Sequence, residues 1–207
     1  MEASASDSTP DDRRFYDLHF REGPARGIIL RYRDSGMRLS PAGMEWYAEG
    51  ERRFTDYSTI DAVRLQTGHI PKSGYFGTCE ITFRNGRNVT IGSLDKWGSP
   101  DGERLDDYAE FVQDFHGHLS DEDRRRIRFE AGGSAFRHAF GTVAVILGGL
   151  MFVVLPLGLL LYTGEAKALF ILVGGAAFII PAVRTLKRNT PRTYDPHHLD
   201  EDLFPHT

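Results

Sequence analysis

Two histidines two residues apart, His116 and His118, are the nearest approach to a metal pair in this chain. A metal ion needs its ligands on one side of their element, and positions two apart on a helix do not share a face. The spacing therefore predicts a solvent-exposed helix end, not a joint ligand set. His197 and His198 fall in a polar tail, where they would chelate only adventitiously. Cys79 is the single cysteine, which rules out an internal disulfide and a zinc site built on several thiolates. It falls on the predicted inward face of a strand beside Glu80, a neighbour that does not activate a thiolate. Asp56, Asp61, Asp95, Asp101 and Glu103 form no acid–base pair at a recognisable spacing. No glycine-rich phosphate loop, HExxH, GxSxG or paired CxxC occurs. The expectation is a protein that is not an enzyme, with no catalytic residue, no cofactor and no metal.

Cations offer the other chemistry, recognition of phosphate or carboxylate. Arg31, Arg33 and Arg38 gather near a first predicted hairpin, with Arg52 and Arg53 as a second group. Lysine stands only at 72, 96, 167 and 187 among 25 basic residues, so arginine clusters arise readily and a solvated face is the preferred reading. Arg124, Arg125, Arg126 and Arg128 are denser and lie just before an apolar run. Each would add roughly 1 kcal/mol near anionic lipid; ordinary topology signalling accounts for them equally well. The formal net charge of −4 argues against a nucleic-acid partner. At the far end, Tyr194, Leu199, Leu203 and Phe204 are spaced apolar anchors in a tail too short to fold alone. They are candidates for docking on the preceding domain or on a partner, and a frayed end is the equal alternative.

The elements that hold these residues come from two unlike regions, which a mean hydropathy of −0.35 averages together. Ala139–Tyr162 is 24 residues without a charge, about 36 Å of helix against a hydrocarbon core of about 30 Å. Ala168–Val183 adds a second apolar run of 16 residues, with Lys167 and Arg184 able to snorkel at its ends. The short loop Thr163–Lys167 forces an antiparallel pair. Basic residues flank the pair on both outer sides, Arg124 to Arg137 before it and Arg184 to Arg192 after it, so both termini are expected in the cytoplasm. The polar, acidic start of the chain has no apolar stretch of the signal-peptide kind. Gly141, Gly148, Gly149 and Gly158 are expected to face Gly174 and Gly175, and Ala144-x-x-x-Gly148 permits close helix contact, within the hairpin or between copies as a homo-oligomer. Pro156 and Pro181 are expected to kink their helices.

Residues 28–93 read as β-structure. Gly27–Arg33 is a strand candidate, and Met44, Trp46 and Ala48 alternate with polar neighbours at the period of a half-buried strand. Arg52–Tyr57 and Thr59–Leu65 follow. Cys79, Ile81 and Phe83 share one face of the next strand, and Asn85-Gly86 then signals a tight hairpin because both central residues must take positive φ. Leu105, Tyr108, Phe111, Val112, Phe115 and Leu119 form the apolar face of a closing helix. Ser120 followed by Asp121-Glu122-Asp123 reads as the capped start of a second helix that carries the four arginines towards the bilayer. Gly132-Gly133-Ser134 reads as a hinge.

Several short strands followed by one amphipathic helix resemble a pleckstrin-homology-like (PH-like) barrel. The segments Met37–Trp46 and Tyr57-Ser58-Thr59-Ile60-Asp61-Ala62-Val63 look like the opening of bacterial PH-like domains, over about residues 28–119. The whole layout is similar to small bacterial inner-membrane proteins with such a domain and a two-helix anchor. The resemblance implies an α+β fold: a PH-like β-barrel or sandwich with a closing helix, then an α-helical transmembrane hairpin. The expected organisation is a disordered N-terminus at 1–13 and the PH-like domain at 14–119. A basic juxtamembrane helix and hinge follow at 120–138, the hairpin at 139–186 and a cytoplasmic tail at 187–207. PH-like domains bind lipid head groups or peptides, so the expected partners are membrane lipid and a membrane or cytoplasmic protein. The expected function is a regulatory module binding a protein segment at the inner face. An accessory subunit of a membrane enzyme and an anionic-lipid sensor are the alternatives.

Overall fold

The computed structural model describes residues 14–23, 36–48, 50–70, 72–133, 135–164 and 167–205. The strand expected at Gly27–Arg33, with Arg31 and Arg33, and the N-terminal segment 1–13 lie outside the described residues. Two sheets and two sets of helices make up the rest, a mixed α+β architecture. The four-stranded sheet runs in the order β1 (Arg14–Tyr16), β3 (Met37–Ser40), β4 (Gly43–Ala48), β5 (Glu51–Thr55). The six-stranded sheet runs β10 (Arg192–Thr193), β9 (Arg128–Ala131), β6 (Ile60–Ile70), β7 (Gly74–Phe83), β8 (Asn88–Gly92), β2 (His19–Glu22).

The alternation read in the sequence sets which faces turn inward. Met44, Trp46 and Ala48 are buried, as are Cys79, Ile81 and Phe83, and Val89 and Ile91. Trp46 stacks on Phe83 with ring centroids 6.3 Å apart and meets Phe20 edge-on. The turn between β7 and β8 falls where Asn85-Gly86 signals it, but only Gly86 takes positive φ, at +79°; Asn85 does not, and the Gly86 amide donates to the Phe83 carbonyl at 2.9 Å. Two strand assignments shift. Tyr57 leaves β5 for a short 3-10 turn, Tyr57–Thr59, where its buried hydroxyl donates to the Ser40 carbonyl at 2.9 Å. The strand starting near Thr59 runs on to Ile70, well past Leu65.

Helix α1 (Leu105–His118) closes this domain against β1, β3 and β7. Tyr108, Phe111, Val112 and Phe115 are all fully buried. Gly77 makes the contact possible, because a Cβ there would sit 2.2 Å from the Tyr108 ring. Strand β1 is pinned to α1 from outside by Arg14 with Glu110 and Asp114, and by the Tyr16 hydroxyl with Asp114.

Residues 120–138 do not form one juxtamembrane unit. Helix α2 (Asp121–Arg126) starts as expected, with the Ser120 hydroxyl accepting from the Asp123 amide, but it stops at Arg126. Ile127 and Phe129 are buried, and Arg128–Ala131 runs parallel to β6 from Ala62↔Arg128 to Leu65↔Ala131. The alternating apolar residues after the arginines are worth more in the core than along a membrane surface. Gly132 and Gly133 are not a loose hinge either. Gly132 takes φ +82° and donates to the Leu65 carbonyl at 2.8 Å, while Gly133 donates to the Asn189 carbonyl at 3.0 Å. A Cβ on Gly132 would meet the Thr190 carbonyl at 2.5 Å. The helices thus leave and rejoin the domain at one fixed junction, inserted between two neighbouring strands.

The first helical arm is α3 (Ala135–Gly149), a π turn (Leu150–Val154) and α4 (Leu155–Thr163); α5 (Lys167–Arg188) returns beside it. One run, His138–Tyr162, is long and apolar enough to cross a membrane, with mean hydropathy 2.7. The second apolar stretch, Leu169–Arg184, is shorter, so the expected pair of spans reduces to one span by length and composition among the described residues. The π turn immediately precedes Pro156, which cannot donate to the Phe152 carbonyl, and the backbone widens there. Gly175 lies against that same carbonyl: a Cβ would come within 2.3 Å of it. Gly141 meets Leu186 and Gly148 meets Ile179, so contacts seven and four residues apart on one arm match contacts seven and four apart on the other. Among the described residues, Gly149, Gly158 and Gly174 have no neighbour within 4 Å of an added Cβ.

Candidate functional site

The site begins at the edge of β9 that faces away from β6. Strand β10 adds to it antiparallel, Arg192 opposite Ala131 and Thr193 opposite Glu130, and the Tyr194 amide donates to the Phe129 carbonyl at 3.4 Å. Unpaired edge amides and carbonyls are a ready template for such addition. The tail then turns at Asp195, whose carboxylate accepts from the His197 amide at 2.9 Å. It returns through the 3-10 turn Glu201–Leu203 against β6. Arg192 and Asp202 close the loop at 2.5 Å.

Of the four tail anchors, Leu203 is buried at 3 % exposure, and Tyr194, Leu199 and Phe204 pack half-buried on the same core. Tyr194 lies between His116 and Phe129, with ring centroids 5.7 and 5.6 Å away. Its hydroxyl is 2.8 Å from Nε2 of His116, and Nδ1 of that ring is 2.7 Å from the Val112 carbonyl. A carbonyl only accepts, so Nδ1 carries the proton and Nε2 accepts from the phenol. Burial pushes the imidazole down from 6.5 to about 4, with the nearby Arg124 charge adding to the shift. Burial also pushes the Tyr194 phenol above its ordinary range. The pair is therefore neutral, with the phenol donating to the ring.

His116 was expected at an exposed helix end and is instead 2 % exposed. The reason is the tail, which covers that end of α1 from residues far along the chain. His118 turns elsewhere and stacks on Tyr57, 6.3 Å between centroids. Among the described residues no three metal-ligating side chains gather.

The basic candidates are largely spent inside the domain. Arg124 caps the end of α1, donating to the Leu119 and His116 carbonyls at 3.1 and 2.7 Å, and reaches His197 Nδ1 at 2.8 Å. Arg126 donates to the Ile60 and Tyr57 carbonyls and to Asp123. Arg128 pairs with Asp61 at 2.7 Å on the surface. Arg125 is exposed on α2. Arg38 lies on β3 over the Phe15 ring at 5.8 Å. A polar groove of about 520 Å³ lies between the β7–β8 turn and α2, lined by Thr59, Arg84, Asn85 and Glu122 among others. It sits at the end of the sheet opposite the helices.

Sequence reasoning singled out the tail anchors but missed their receiving surface, His116, Phe129 and the β9 edge. The alternation Ile127, Phe129, Ala131 was the available signal, hidden by the three arginines before it and by Arg128 within it.

Compared with known proteins, the chain matches no family model and no curated relative. Among solved structures it is similar to the Spt16D–Pob3N heterodimer, at 18 % identity over 51 % of this chain, with a TM-score of 0.32. The chain spans 50 % of the length of that structure's matched chain. Agreement of this extent assigns neither a fold family nor an activity.

Proposed function

We propose that this protein is a membrane-held interaction module that binds a protein segment along the β9 edge, and that its own tail fills the site at rest. In this reading a PH-like domain lies on the cytoplasmic face of a bacterial inner membrane, and both helical arms span the bilayer. The observation that carries it is the seating of residues 192–204: strand addition on β9, with Tyr194, Leu199, Leu203 and Phe204 set against the core. That combination of main-chain pairing and side-chain pockets is how sheet edges recognise extended peptides. The engagement of Arg124 and Arg126 by backbone carbonyls favours a polypeptide over lipid as the ligand.

Exposure along the arms supports the membrane part. Leu161 and Phe170 are each 80 % exposed, and only 6 % of the most apolar window of the first arm is buried. Aliphatic surface on this scale calls for a cover. Helix α5 has 22 residues, about 33 Å, which is enough to span with its charged ends at the interface.

Two experiments test the reading. Reporters at the two termini should both register cytoplasm, and one inserted between Gly164 and Glu165 the opposite side; an exported terminus overturns the topology. For binding, the full chain and a chain ending at Asn189 are placed in nanodiscs and titrated with a labelled peptide of residues 190–207. The tether holds the native tail at roughly millimolar effective concentration. The shortened chain should therefore take the peptide and the intact chain far less. Serine at both Leu199 and Leu203 of the peptide should weaken uptake. A folded shortened chain that ignores the peptide overturns the binding role.

A further inference from the structure

The junction at Gly132 fixes which end of the six-stranded sheet the helices leave from. Strand β9 runs parallel to β6, ends opposite Leu65, and the chain enters α3 a few residues later. Strand β6 does not stop there. It continues from Gln66 to Ile70, paired with β7 down to Ile70↔Gly74. At about 3.3 Å per residue, this hairpin tip projects about 17 Å past Leu65, in the direction in which β9 hands the chain to α3. A cleft of about 450 Å³ lies between Gln66 and the helix bases, where His138, Gly141, Val145 and Leu186 line it. The bases of both helices thus pack beside the stem of this hairpin.

The loop after β8 lies at the same end. Gly92 pairs with Thr78, and the Ser93 amide donates to the Gly77 carbonyl at 3.0 Å, so the segment from Leu94 to Pro100 bulges from the helix-bearing rim.

Both projections carry residues that suit a bilayer interface. Ile70 is 38 % exposed at the tip, Tyr75 lies against His69 at 4.5 Å, and Lys72 is exposed at the turn. In the neighbouring loop Trp97 is 62 % exposed, with Lys96 5.7 Å above its ring. Tryptophan and tyrosine partition to the head-group level, and lysine reaches lipid phosphate while its stem stays apolar. Two of the chain's four lysines stand on these two projections, in a protein that elsewhere uses arginine. The opposite end of the sheet, at Arg84–Arg87, has instead the groove lined by Thr59, Arg84, Asn85 and Glu122.

We propose that this rim is a membrane-contact surface. The β6–β7 tip and the Trp97 loop enter the head-group zone of an anionic bilayer, with Lys72 and Lys96 on lipid phosphate. The inference rests on the reading of the helices as membrane spans. It gives the domain three attachments to one surface and thereby sets how the β9 edge is presented to a partner.

Native tryptophan fluorescence tests it in the full chain, reconstituted in nanodiscs containing phosphatidylglycerol. Trp46→Phe leaves Trp97 as sole reporter. Its emission should shift to the blue on reconstitution and lose most of its intensity to lipid spin-labelled near the head group, but little to lipid labelled near the bilayer centre. With both native tryptophans replaced by phenylalanine, Met151→Trp, at the middle of the run, reports the span and Ile70→Trp reports the tip. Met151→Trp should be quenched by the deep label and Ile70→Trp by the shallow one. Deep quenching of Met151→Trp with no shallow quenching of Trp97 and Ile70→Trp overturns the rim and leaves the span standing. Failure of Met151→Trp to be quenched overturns the membrane reading itself. If Trp46→Phe weakens the fold, Trp97→Phe in the otherwise native chain serves instead: the shallow quenching should vanish with Trp97, and its persistence overturns the assignment.

Discussion

The domain interior and the helical pair are both apolar, yet they are held together differently. In the domain, Phe20, Trp46, Phe83, Phe111 and Phe115 are buried in one cluster with aromatic rings edge-on or stacked. In the helical pair the large residues point outward, and contact runs through Gly141, Gly148 and Gly175. Water explains the first arrangement, because each large side chain removed from it contributes about 1.5–3 kcal/mol. The lipid surround proposed above would account for the second, since apolar tails give no such reward and close backbone approach through small residues is what remains. On that reading, residue size at the contact distinguishes the two surroundings better than hydropathy does.

The sharpest way to break this contrast is a charge in the aromatic cluster. Phe111→Asp places an unpaired carboxylate at a site with no exposure and should cost more than about 4 kcal/mol. The domain should lose its cooperative melt while the helices keep their signal in far-ultraviolet circular dichroism.

Acid should act next most strongly, and only on the domain. His116 titrates near 6.5 unfolded and near 4 folded, so the native state favours the neutral ring. Its contribution is complete above 6.5, falls as the pH drops, and levels off below about 4. On the order of 3 kcal/mol is lost across that window. The groups facing the ring are Tyr194, the Val112 carbonyl and Arg124. Hydrogen exchange at Tyr194 and along β9 should rise in that range. His116→Phe should flatten this part of the pH profile.

Gly175→Leu probes the other region. Its Cβ would press on the Phe152 carbonyl, and overpacking of this kind costs about 1–3 kcal/mol. Spin labels at exposed Phe140 and Lys187 should show a longer, broader distance distribution by pulsed electron resonance, with the melt of the domain unchanged. An equal loss in both regions would mean that they fold as one unit.

Arg128→Gln should do least. The Arg128–Asp61 pair is solvent-exposed, and such pairs contribute under about 1 kcal/mol. A larger loss in the melt would mean that β9 depends on this pair more than on Ile127 and Phe129.

Elements whose pattern is local were legible in the sequence. The helical face from Leu105 to Leu119, the Ser120 cap, the Asn85-Gly86 turn and the alternation in β4 and β7 each follow from a few adjacent residues. The short strands β1, β2 and β10 were not legible, because two to four residues carry too little periodicity to stand out.

By itself the sequence determined the division into a polar, strand-rich region and an apolar helical one, together with the spacing of the tail anchors. Only the tertiary structure decided that Arg124 and Arg126 serve carbonyls of their own domain, that His116 is buried, and that β9 and β10 pair across the whole helical insertion. Apart from Arg124, whose carbonyl partners Leu119 and His116 are near in sequence, those outcomes depend on contacts between residues some 60 to 80 positions apart, such as Arg126 with Ile60 and His116 with Tyr194. Local propensity carries no record of such pairings. They form because the β9 edge, the end of α1 and the returning tail each leave polar and apolar groups that only the others can satisfy.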